Sequence, residues 1–262
     1  TGSLAAANAL LGPFLSSPLH AAQVDPNDPE LVSGDAEYPG KAGKVFAYFT
    51  RPKASGKFPA IIVVHAWTGM DDHIRDVARR LAKEGYVALV PDLLSRHGGT
   101  PKANPKGEGL RNIDELAPAQ AVIEDSDAGF SYLKRLPEVR GDRLGITGFC
   151  WGGSMVFAAA TQIRGLKAAV VYYGTSPRPL DLVKNIEAPV LAHYGGEDPR
   201  VNAGIPATEE AMKKYGKPFT YKIYPGAKHA FNSDDRPASY HPEAAKEAWT
   251  RTLEFFKTHL KA

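Results

Sequence analysis

Ten residues, Leu144 to Gly153, restrict the fold of this chain more than any others. They read as a short apolar strand, an abrupt reversal with Cys150 at its tip, and a helix that continues through Ser154 to Ala160. Gly148 and Gly152 stand two residues to either side of Cys150. A strand that turns into a helix at a single residue crowds its neighbours, and only residues without a Cβ relieve the crowding. The pattern is a nucleophile elbow, G-x-S-x-G, with cysteine in place of serine. Such a turn lifts its central side chain above a sheet edge, at a helix N-terminus whose partial positive charge favours an anion. The plainer reading is a buried cysteine beside a tight turn. The company kept by Cys150 in the fold decides between the two.

The rest of the chain supplies a sheet for that elbow. Strands are expected over 44–49, 60–65, 86–90, 168–173, 190–194 and 219–224, and helices over 71–84, 119–133 and 208–215. Pro242 opens a last helix, with Ala245, Ala248, Trp249, Thr252, Phe256 and Leu260 on its inward stripe. The run Ala60-Ile61-Ile62-Val63-Val64 has no polar alternation, as a strand covered on both faces requires. Residues 23–43, rich in Asp, Pro and Gly, read as an extended lead-in, and 97–115 as the longest irregular stretch. Strand–helix alternation from residue 60 onward predicts one α/β domain over 23–262, with a mainly parallel central sheet and helices on both faces. Ligands of such sheets sit beyond the carboxyl ends of the strands.

Composition narrows the function. A net charge of +3 without a basic cluster gives no reason to expect nucleic acid. One cysteine allows no internal disulfide, and the eight histidines show no ligand spacing, so no metal is expected. Residues 4–19 carry no charge and are followed by His20-Ala21-Ala22. With Pro13 and Pro18 inside, the run is too short and too interrupted for a membrane span of roughly 20 residues. Residues 1–22 are expected to be the remnant of an export signal lacking its basic start, which would place the domain in the periplasm or outside the cell; the alternative is an N-terminal helix packed on a cytoplasmic domain.

Five segments leave strands at the carboxyl edge: those at His65, Asp92, Cys150, Gly195 and Gly226. A thiol nucleophile needs a base for its proton and a carboxylate to orient that base. His229 follows the last strand and Asp198 the one before, and the order nucleophile, acid, histidine is that of the α/β-hydrolase fold. Glu197 is the alternative to Asp198. His65 is expected to support the neighbouring loop, and His193 to be a hydrogen-bonded core residue. An oxyanion would be met by the backbone N–H of Trp151, directly after the nucleophile, and of Trp67, after the first parallel strand.

Gly148-Phe149-Cys150-Trp151-Gly152-Gly153, Pro91-Asp92-Leu93, Gly196-Glu197-Asp198-Pro199 and His229-Ala230-Phe231 together resemble the dienelactone hydrolases (carboxymethylenebutenolidases) over roughly residues 44–260. The resemblance implies hydrolysis of an enol lactone or small ester through Cys150, His229 and Asp198, with no cofactor. It also implies that Arg96 grips a substrate carboxylate. Two positions depart from the family. Its glutamate after the position of His65, which holds the resting cysteine away from its histidine, is Ala66 here. Its second substrate arginine is Ser233, with Arg236 three residues further on. Without the glutamate, Cys150 is expected to face His229 even in the free protein. The alternatives are a promiscuous hydrolase of other activated acyl or phosphoryl esters, and a catalytically silent binding protein on the same fold.

Overall fold

A computed structural model describes residues 22–262. The expected export segment at 1–22 lies, but for Ala22, outside them. Among the described residues eight strands form one sheet: β1 Leu31–Gly40, β2 Gly43–Pro52, β3 Phe58–Val64, β4 Val87–Pro91, β5 Val139–Phe149, β6 Ala168–Tyr172, β7 Val190–Gly195 and β8 Phe219–Tyr224. Their order is β1-β2-β4-β3-β5-β6-β7-β8, antiparallel at β1–β2 and β2–β4 and parallel from β4 across to β8. The helices are α1 Asp72–Lys83, α2 Thr100–Ala103, α3 Ile113–Leu116, α4 Ala119–Leu133, α5 Trp151–Ala160, α6 Pro199–Asn202, α7 Ile205–Lys214 and α8 Pro242–Phe256.

Two cores flank the sheet, and β3 shows why. Its alternate side chains point to opposite faces. Ile62 and Val64 join the core under α4, α5 and α7, whereas Ile61 and Val63 join the one under α1 and α8. All four are buried, and each contributes roughly 1.5–3 kcal/mol by leaving water. The helix ends are set locally. Asp71 caps α1 by accepting the Ile74 N–H at 3.0 Å, and Gly85 behind it takes the left-handed turn at φ +80°.

The lead-in at 23–43 needs correcting. About half of it, Leu31–Gly40, is β1, paired residue for residue with β2 from Leu31↔Pro52 to Gly40↔Gly43. Its side chains are largely exposed, because an outermost strand has little to bury and so carries no apolar run. The stretch 97–115 is also less irregular than its composition suggests, since α2 and the start of α3 fall inside it.

Candidate active site

The elbow forms where β5 meets α5. Cys150 sits at φ +57°, ψ −119°, with its N–H donated to the Tyr172 carbonyl at 3.0 Å. A Cβ on Gly152 would fall 2.3 Å from the His65 carbonyl oxygen, and one on Gly148 would fall 2.5 Å from that of Gly152. Both glycines are there for closeness: any larger residue would push α5 off the sheet. Cys150, Tyr173 and Ala230, the non-glycine residues with positive φ among those described, all line one cleft. Backbone held in sparsely populated regions collects where the surrounding fold over-determines it.

That cleft encloses about 850 Å³ at the carboxyl edge of the sheet. His229 Nε2 lies 3.0 Å from Cys150 Sγ, and His229 Nδ1 lies 2.5 Å from Asp198 Oδ2. The other Asp198 oxygen accepts the Val201 N–H at 3.3 Å, so this carboxylate both caps α6 and orients the imidazole. Burial works to lower the His229 pKa. The hydrogen bonds and charges of Cys150 and Asp198 outweigh it and raise the value above the ordinary one. The ring is held in place by Tyr173, edge-to-face at 5.0 Å. Glu197 is exposed and does not reach His229.

The remaining expected residues separate. Trp151 opens α5, so its N–H has no acceptor within the helix. Trp67 lines the cleft beside it, 38% exposed. Segment 104–114 pins both tryptophans: the Leu110 N–H donates to the Trp67 carbonyl at 3.1 Å, and the Trp151 indole donates to Asp114 at 2.7 Å. Ala66 lines the cleft and leaves the approach of His229 to Cys150 open. His65 is fully buried; it donates from Nδ1 to the Ala66 carbonyl at 2.7 Å and accepts the Leu93 N–H at Nε2 at 3.1 Å. Burial lowers its pKa, and it supports the loops. His193 is buried between Tyr224 and Thr252, its pKa pushed down to about 3 by desolvation.

Arg96 is not brought to the cleft. The short turn after β4 directs it to Asp125 of α4, at 2.8 Å. The arginines that do line the cleft are Arg111, Arg178, Arg200 and Arg236. Sequence reasoning passed over Tyr173 and His73. Tyr173 leaves β6 on the same carboxyl edge as Cys150 and His229, and Gly174 after it was the available signal. His73 faces Asp234 at 3.0 Å, and Asp234 is also held by Arg80 at 2.7 Å and Gln23 at 2.6 Å. With Asp235, these are the ligand-type side chains that come together among the described residues, but His73 and Asp234 already spend their facing atoms on each other.

The sequence pattern of the dienelactone hydrolase family matches residues 45–260. A protein of Escherichia coli K12 with the provisional name carboxymethylenebutenolidase is 37% identical over 257 residues, covering 93% of each chain. One from Methylorubrum extorquens with the same provisional name is 36% identical over 239 residues, covering 87% of this chain and 82% of its own. Among solved structures, a provisionally named dienelactone hydrolase from Klebsiella pneumoniae superposes with a TM-score of 0.79 at 35% identity, covering 86% of this chain and 98% of that one. The dienelactone hydrolase of Anabaena variabilis, at 19% identity and a TM-score of 0.69 over 88% of this chain and 99% of that one, shares the fold.

Proposed function

This chain belongs to the dienelactone hydrolase family, with its α/β-hydrolase fold and ester- or lactone-hydrolysing chemistry, and from that premise we propose that Cys150 is the nucleophile of a Cys-His-Asp triad. The observation that carries this reading is the unbroken line from Cys150 Sγ through His229 to Asp198, at 3.0 and 2.5 Å, on the floor of an open cleft.

His229 takes the thiol proton at Nε2 while Asp198 holds the Nδ1–H and steadies the positive ring. The thiolate attacks the ester carbonyl, and the Trp151 and Trp67 backbone N–H groups receive the oxyanion; a donor of this kind is typically worth about 3 kcal/mol of barrier. The alcohol leaves with the proton from His229. Water, activated by the same imidazole, then cleaves the acyl-thioester and restores Cys150. A cleft of about 850 Å³ has room for an ester well beyond a five-membered lactone, which favours a small carboxylic ester or lactone of broader type as substrate. Turnover of p-nitrophenyl acetate and simple lactones by the unmodified protein, absent in Cys150→Ala, is the result expected. Undiminished turnover in Cys150→Ala would move the nucleophile elsewhere. No turnover in either protein would leave the silent binding protein as the better reading.

A further inference from the structure

The cleft does not end at the triad. Trp151, Met155 and Ala158 stand at i, i+4 and i+7 of α5, one stripe of the helix, and all three line the cleft. A stripe on that side of a helix in an α/β sheet is ordinarily covered by the next element. Here Leu110, Ile113 and Ala119 line the same cleft, so a gap remains between α5 and the chain leading into α4. From Trp151 to Ala158 the helix rises about 10 Å, so the gap is a groove of roughly that length, starting at the nucleophile. Its walls are mainly apolar, with Arg111 and Asp114 also in the lining and Asp114 taken up by the Trp151 indole at 2.7 Å. Ser154, the polar residue on the neighbouring side, is occupied: its hydroxyl accepts the Thr175 N–H at 2.8 Å and meets Thr175 Oγ1 at 3.0 Å.

We propose that this groove is a binding subsite for the longer apolar arm of the ester, an alkyl or aryl chain that lies along α5 with its carbonyl at Cys150, and that Ala158 sets its depth. The inference rests on the reading of Cys150 as the nucleophile. Continuity with the nucleophile identifies the occupant, because whatever fills the groove is joined to the carbon that Cys150 attacks. A small side chain at Ala158 keeps the far end open, whereas Met155 midway offers an adaptable wall.

Two substrate series test it. In the first, p-nitrophenyl esters run from acetate to octanoate; in the second, alkyl acetates lengthen on the alcohol side. Each methylene entering the groove should raise kcat/KM roughly threefold to fourfold, until the chain outruns it. A rise in the acyl series places the acyl group there, and a rise in the alcohol series places the alcohol there. Ala158→Leu, a substitution that suits a helix, should lower the ratio of longest to shortest substrate at least tenfold in the responding series. Flat profiles in both series while Cys150 still turns over acetate would overturn this proposal alone. So would an unchanged ratio in a folded Ala158→Leu protein. Should that variant fail to fold, the chain-length series on the unmodified protein still decides. Failure of all esters with Cys150 intact would instead strike at the parent reading.

Discussion

Two histidines that line the same cleft, His229 and His73, each lean on an aspartate behind it, and the two pairs are built differently. In His229–Asp198 the imidazole is part-exposed, with 29% of its side chain open, and its far nitrogen faces the Cys150 sulfur. In His73–Asp234 the imidazole side chain is only 6% exposed, and its Nε2 meets no partner. The carboxylates differ more. Burial would raise the Asp234 pKa, but His73 and Arg80 outweigh it and hold the carboxyl well below the usual range. Asp198 is shared instead between its histidine and a single backbone N–H. A histidine beside an aspartate is therefore no catalyst in itself. What matters is what the second nitrogen faces and whether the aspartate is left to serve the ring rather than a guanidinium.

The widest separation between the pairs should appear on removing each carboxylate. Asp198→Asn should lower kcat by about 10²–10⁴, because the imidazole loses the acceptor that fixes its tautomer. Asp234→Asn should lower kcat less than tenfold and destabilise the fold by about 1.5–3 kcal/mol, because Arg80 loses one of its two carboxylate partners and keeps Asp76. Steady-state kinetics and urea denaturation of both variants measure this, and equal kinetic losses would break the comparison. The stability effect carries a sign. A depressed carboxyl pKa stabilises the folded state above the unfolded value of about 3.9 and ceases to do so as pH falls through the folded value. The gap between wild type and Asp234→Asn should thus be full at neutral pH and close only in strong acid.

A smaller effect concerns His229. Because Cys150 raises its pKa, Cys150→Ala should shift the imidazole titration seen by NMR to lower pH, and an unchanged midpoint would show that the sulfur does not couple to the ring. Smaller again is the effect expected at Ala66. Placing a carboxylate there, as Ala66→Glu, should slow iodoacetamide alkylation of Cys150 near neutral pH by competing for the space that His229 now shares with it. Equal rates in the two proteins would mean that this position does not govern access to the thiol.

The pair proposed as catalytic could be read from the chain and the other could not, for physical reasons. Cys150 declares itself through two glycines that nothing else explains, and Asp198 and His229 follow strands whose apolar runs are plain. His73 lies on the first turn of α1, where an amphipathic pattern gives no sign that one polar residue faces inward. Its partner arrives from 161 residues away. β1 was illegible because an exposed edge strand needs no hydrophobic alternation. Arg96 followed the right strand, but a three-residue turn settles its direction, and no periodicity reports on that.

Cys150 is the chain's single sulfhydryl, and it stands at the one place where chemistry is proposed. Any reagent that counts thiols therefore counts working centres, with no background from other positions. A native sample that binds less than one equivalent of label would reveal its inactive fraction directly, and a preparation spoiled by oxidation would show the same deficit in labelling as in turnover. The stoichiometry of one reaction thus becomes an internal standard against which every rate measured on this protein can be scaled.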